Sequence, residues 1–105
     1  MKVAITVFND SLESKIDSRF GRCSFFAIYD TNTKATHFIQ NPNKDKEGGA
    51  GPASAEFVSK MGIYEVYSGE FGGKVVPIFN ELNIKMIHVY HNEITVGELI
   101  NSFKI

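Results

Sequence analysis

The chain is short of the features that usually announce a compartment or a reaction. It has one cysteine in 105 residues, which excludes an internal disulfide and makes a reducing cytoplasm the simplest location. No apolar run approaches the roughly 18 residues of a membrane span. The opening MKVAITVF is too short for the apolar core of a secretory leader with its cleavage site. Formal net charge is −1, from 11 basic and 12 acidic residues. These are interspersed, so no overall field draws nucleic acid or an anionic membrane, and neither is expected as a partner. Repeats and low-complexity tracts are missing. So are Cys-x-x-Cys and His-x-x-x-His pairings, which argues against a preformed structural zinc site.

What is there reads as an ordinary globular chain, 43% hydrophobic and 22% charged, of a length that forms one domain over residues 1–105. VAITVF (Val3–Phe8) is apolar on both faces, as a central strand covered on both sides would be. SFFAIYD (Ser24–Asp30) is a second such run, and a polar turn joins it to KATHFIQ (Lys34–Gln40) as a hairpin. The polar loop NPNKDKEGG leads to a helix over Pro52–Met61, with Pro52 suited to its first position and Gly62 to a left-handed C-cap. A short strand at Glu65–Tyr67 precedes a helix over Lys74–Leu82, in which Pro77 is tolerable only in the first turn. KMIHVY (Lys85–Tyr90) is a further strand. Thr95 and Glu98 have capping-box spacing and open a last helix that runs to Phe103.

The order β-β-β-α-β-α-β-α predicts an α/β fold, a three-layer α/β/α sandwich on a five-stranded mixed sheet, the last strands parallel to the first. Ligands of such sheets bind outside the carboxyl ends of the strands. Three loops are expected to meet there: Asn9-Asp10-Ser11, Ser68-Gly69-Glu70 and His91-Asn92-Glu93. The segment IDSRFGRC (Ile16–Cys23) belongs to the same long connection as the first of them.

The chemistry in these loops suits an anion more than a reaction. GGAGPASAE (Gly48–Glu56) leads into a helix whose first N–H groups are open to an anion. It lacks the Gly-Lys-Ser/Thr of a P-loop, and Ser54 stands where a dinucleotide fingerprint needs its third glycine. The plainer reading is a flexible helix entry capped near Gly51. Gly69-Glu70-Phe71-Gly72-Gly73 is a second turn of the same kind. Cys23, close to Arg19 and Arg22, is the strongest soft-metal donor if its pKa is lowered; beside Phe25 and Phe26 it reads more readily as a small buried hydrophobe. His37 and His88 lie within strands and read as structural, whereas His91 sits at a strand's carboxyl end, as a ligand or an exposed loop residue. No Ser-His-Asp or Cys-His arrangement has a supporting motif. The central strand carries no carboxylate for a two-metal nuclease. An enzyme is therefore not expected.

KVAITVFND, IDSRFGRCSFFAIYD, GAGPASAEFVSKMG, YSGEFGGKVVPIFNELNIKMIHVY and TVGELINSF, in that order and spacing, resemble the dinitrogenase iron–molybdenum cofactor biosynthesis family over nearly the whole chain. This small domain occurs in nitrogenase accessory and cofactor-carrier proteins. The resemblance implies a ribonuclease H-like α/β/α fold without ribonuclease chemistry. It also implies a non-catalytic protein that binds the iron–molybdenum cofactor or an iron–sulfur precursor and passes it to an assembly-protein partner. Such a cargo is a large anion, served by N–H nests, arginines and a soft or imidazole donor. Members of the nitrogenase branch carry a histidine where this chain has Arg19, and a protonated guanidinium does not ligate iron. Ligation therefore does not carry over to Arg19. Phe20, Gly21, Arg22 and the two glycine turns (Gly49, Gly51, Gly69 and Gly72) carry over as architecture. Asn9, Asp10 and Arg19 beside them, and Cys23 and His91 as metal donors, are candidates from their own chemistry and not from the family pattern. Two rival readings use the same edge: a protein-binding adaptor without metal, and a binder of a phosphorylated or other anionic small molecule.

Overall fold

The computed structural model describes residues 1–90 and 93–103. Strands β1 (Lys2–Val7), β2 (Phe25–Asp30), β3 (Thr36–Gln40), β4 (Ile63–Ser68) and β5 (Lys85–His88) alternate with helices α1 (Ala50–Ser59), α2 (Val75–Glu81) and α3 (Val96–Asn101) in the expected order. They build one five-stranded mixed sheet, β3-β2-β1-β4-β5. β2 runs antiparallel to β1 and β3, while β4 runs parallel to β1 and β5.

β1 is central because its side chains are apolar in both directions, and each direction has its own core. Ala4 faces Phe20, Phe26 and Val66, closed over by Ala55 and Val58 of α1 and by Val75 and Phe79 of α2. Ile5 and Val7 face the other way, onto Ile16, Ala27 and the Val96 and Leu99 side chains of α3. These are the three layers. Among the described residues, no helix is long and apolar enough to cross a membrane.

The edges of the elements differ from expectation for local reasons. Gly49 adopts the left-handed conformation (φ 72°) and turns the chain into α1, which starts at Ala50 rather than Pro52. Pro52 and Pro77 are then the third residues of α1 and α2, where a helix has no internal partner for the missing N–H. β3 starts at Thr36 and not Lys34, because Lys34 itself turns left-handed at φ 65°. β4 runs beyond Glu65–Tyr67 in both directions, since Ile63 pairs with Lys2 and Ser68 with His88. β5 ends at His88, although the Val89 N–H still donates to the Ser68 carbonyl at 2.8 Å. Gly62 is left-handed after α1, at φ 70°. The Thr95–Glu98 capping box has both of its hydrogen bonds, 3.1 and 3.0 Å.

Candidate functional site

The connection from β1 to β2 lies across the carboxyl ends of the strands and serves both faces. Its first half covers α3. The carbonyls of Leu12 and Ser14 accept from Gly97 and Val96 N–H, each at 2.8 Å, and so occupy donors at the start of α3. Lys15 pairs with Glu93 at 2.6 Å, and the Ser14 hydroxyl accepts from the N–H of Asn9 at 3.0 Å. The chain then crosses the sheet edge. Asp17 N–H donates to the Thr6 carbonyl and Glu70 N–H to the Ser18 carbonyl, both at 2.8 Å. The Thr6 hydroxyl donates to the Asp17 carbonyl at 2.6 Å. Beyond this crossing, Arg19–Arg22 lies on the α1/α2 side. The structure therefore separates Asn9 and Asp10 from Arg19–Arg22, because the sheet edge stands between the two halves of one loop.

On the α1/α2 side, Arg19, Phe20, Gly21 and Arg22 meet the starts of both helices around a concavity of about 450 Å³. Gly49–Pro52 forms one wall; Glu70 and Gly72–Val75 form the other. Gly49, Gly51 and Gly72 thus stand with the arginine segment, as the sequence suggested. Gly69 does not line the concavity. A Cβ there would fall 2.7 Å from the Ser18 Cα, so this glycine lets two backbones pass at the crossing. Gly21 is needed for a similar reason: its Cβ would meet the Gly51 Cα and N at 2.7 Å. Phe20 turns inward, 2% exposed, and packs its ring against Phe26, Phe71 and Phe79. It anchors the segment from below and leaves backbone and arginines at the surface. A larger hollow of about 670 Å³ lies along the loop Gln40–Lys46, but none of the sequence's candidate groups faces it.

Two arginines, two environments. Arg19 grips Asp17, from Nε to Oδ1 and from Nη2 to Oδ2, each at 3.1 Å. The Asp17 side chain is 0% exposed and that of Arg19 55% exposed. This hydrogen bond and the carboxylate's charge raise the Arg19 pKa further. Arg22 donates from Nη1 to the carbonyls of Lys44 and Lys46 at 3.2 and 2.8 Å, which ties the 42–47 loop to the rim. Lys74 is exposed beside it.

Cys23 belongs to the core. It is 0% exposed, with its Sγ 3.4 Å from the Phe20 carbonyl. Burial, and then the Asp17 charge, push its pKa up, so the lowered thiol pKa considered from the sequence is replaced by the opposite shift. Cys23 therefore presents no thiolate to the concavity. His91 lies outside the described residues. His37 is exposed on β3. His88 is exposed as well, and its Nδ1 lies 3.2 Å from the Gly69 carbonyl. No three or more His, Cys, Asp or Glu side chains converge to hold a metal ion among the described residues.

Three residues that hold the segment in place were not among the candidates drawn from the sequence. Asp17 is one; Asn41 and Ser54, 3% and 0% exposed, are the others. The Gly21 carbonyl accepts from Asn41 Nδ2 at 3.1 Å and from the Ser54 hydroxyl at 3.0 Å. Asn41 Nδ2 also reaches the Cys23 carbonyl at 3.0 Å. The pair fixes the peptide of Gly21 and with it the approach of the arginine segment to α1. The Asn41-Pro42 turn signal was visible in the sequence, but nothing there marked its side chain as buried.

Fold and site together define a small α/β/α domain with a glycine-built, arginine-flanked crevice at the carboxyl edge of its sheet. The family model described as dinitrogenase iron-molybdenum cofactor matches residues 1–104, and the chain belongs to that family. The structure is similar to the apo form of the orange protein from Desulfovibrio gigas, with a TM-score of 0.89 and 26% identity over 97% of this chain and 85% of that one. It is also similar to a Thermotoga protein described as a putative NifB protein of the DUF35 family, with a TM-score of 0.81 and 25% identity over 97% of this chain and 85% of that one. No curated protein matches the chain.

Proposed function

We propose that this protein is a non-catalytic carrier for an anionic metal–sulfur cluster, an iron–sulfur or iron–molybdenum species held as cargo between α1 and α2 and passed to an assembly-protein partner. One observation carries the reading: Arg19–Arg22 and the glycine turns opening α1 and α2 share a single concavity. Backbone N–H groups at the start of α1 have no partner within the helix and face negative charge well. Arg22 and Lys74 add charge, and the guanidinium of Arg19 adds directed donors for sulfido or oxo acceptors. With Cys23 buried, the described residues hold cargo by charge and hydrogen bonds rather than by thiolate ligation. Family membership supports this class of cargo.

The test offers purified protein the isolated iron–molybdenum cofactor, or a synthetic iron–sulfur cluster, under anaerobic gel filtration, and follows absorbance. Wild-type protein and Cys23→Ala retain the chromophore, while Arg22→Ala weakens retention about tenfold, the scale of one charge-assisted hydrogen bond. A chromophore that never co-elutes, or that Arg22→Ala retains as well as wild type, overturns the reading.

A further inference from the structure

The charges around the concavity nearly cancel, and this bears on which anions it accepts. Arg19, Arg22 and Lys74 line it together with Glu70, and Asp17 stands directly behind Arg19. Asp17 takes the guanidinium side-on, through Nε and Nη2 at 3.1 Å each, and also accepts from the Arg19 backbone N–H at 2.9 Å. On the opposite, end-on edge no described residue accepts from Nη1, and the Arg19 side chain is 55% exposed. Arg19 is not at liberty to swing onto a ligand. Doing so would strand a carboxylate that is 0% exposed, and a buried charge without its partner is strongly destabilising. Of the three cations, then, one is offset permanently by Asp17, while the Glu70 carboxylate adds one negative charge to the same rim.

We propose that Asp17 and Glu70 make the concavity selective by charge density, so that it takes large anions of diffuse, low charge and refuses compact dianions such as sulfate, phosphate and phosphate esters. The proposal rests on the carrier reading above and narrows its cargo. A compact dianion is held strongly by water, and a site with about one uncompensated cation does not replace that hydration. A guanidinium, more weakly hydrated than an ammonium, suits an anion that is itself weakly hydrated. A metal–sulfur cluster spreads its charge over many sulfur atoms and meets both conditions. A phosphorylated small molecule meets neither, which sets this selectivity against the phosphate-binding alternative.

Perrhenate and sulfate test it, because both are tetrahedral with four oxygens and they differ by one unit of charge. Each is titrated at constant ionic strength while the amide signals of Gly49, Gly51 and Gly72 are followed by NMR. Wild-type protein binds perrhenate more tightly than sulfate. Glu70→Gln, at an exposed position, shifts the preference about fivefold toward sulfate, the scale of removing one charge from the rim of a partly aqueous site. Asp17→Asn shifts it in the same direction; if that variant does not fold, Glu70→Gln decides alone. Wild-type preference for sulfate, a preference that Glu70→Gln leaves unmoved, or no response of these glycines to either anion overturns the proposal. Failure of the carrier reading is distinguishable, since a cluster may then fail to co-elute while the perrhenate preference stands.

Discussion

Gly21 shows most plainly how little room one residue has when two backbones meet. Its missing Cβ lets the arginine segment touch the first turn of α1, where a methyl group would sit 2.7 Å from the Gly51 Cα. Gly21→Ala is therefore expected to lower unfolding stability in urea by about 2–3 kcal/mol, as forced overpacking against backbone does. Gly72, with nothing within 4 Å of its ideal Cβ, should accept alanine within about 0.5 kcal/mol. Equal effects at both positions would remove close packing as the reason for Gly21. From sequence, these two glycines look the same, because what distinguishes them is a neighbour 30 residues away in the chain. Cys23 was illegible for a related reason. It precedes a run apolar on both faces, so no alternation says which way it turns. Asp17 and Ser54 are polar residues at 0% exposure, and composition gives no sign that a polar side chain will be enclosed.

Elements were more legible than residues because periodicity and capping act locally. The Thr95–Glu98 box was readable from spacing alone, and both of its hydrogen bonds form. α3 depends on it more than α1 depends on any cap, since α3 has only six residues and α1 has ten. Thr95→Ala is expected to cost about 1 kcal/mol of stability, measured by denaturant midpoint at unchanged slope. Glu98→Gln, which keeps the reciprocal hydrogen bond, should cost much less. A neutral Thr95→Ala would mean that the Leu12 and Ser14 carbonyls hold the helix start unaided. What spacing did not foretell is that one connection caps α3 with its first half and frames the concavity with its second. Hence the expectation that Asn9 and Asp10 would stand with Arg19 failed, although all three lie on the same loop at the same sheet edge.

Across the whole molecule, the two faces of the sheet are unequally covered. α1 and α2 close one face around Phe20, Phe26, Val58, Val66 and Phe79, each 2% exposed or less. Among the described residues, the other is closed by α3 and the Ile16 segment around a smaller buried set, Ile5, Val7, Ile16, Ala27, Val96 and Leu99. Thinner packing opens at lower free energy. Native-state hydrogen exchange is expected to show Leu99 and Ile100 amides exchanging through a sub-global opening, while those of Val66 and Val58 exchange only with global unfolding. Matching protection in both layers would refute this asymmetry. The burial of Cys23 has a use at the same scale. The chain's one thiol is sealed beneath the site, so a cysteine introduced on the outer face of α1, at Glu56 for instance, becomes the one sulfur that a label reaches. A single fluorophore there sits on the helix that walls the crevice and can report an added ligand without the native cysteine being removed first.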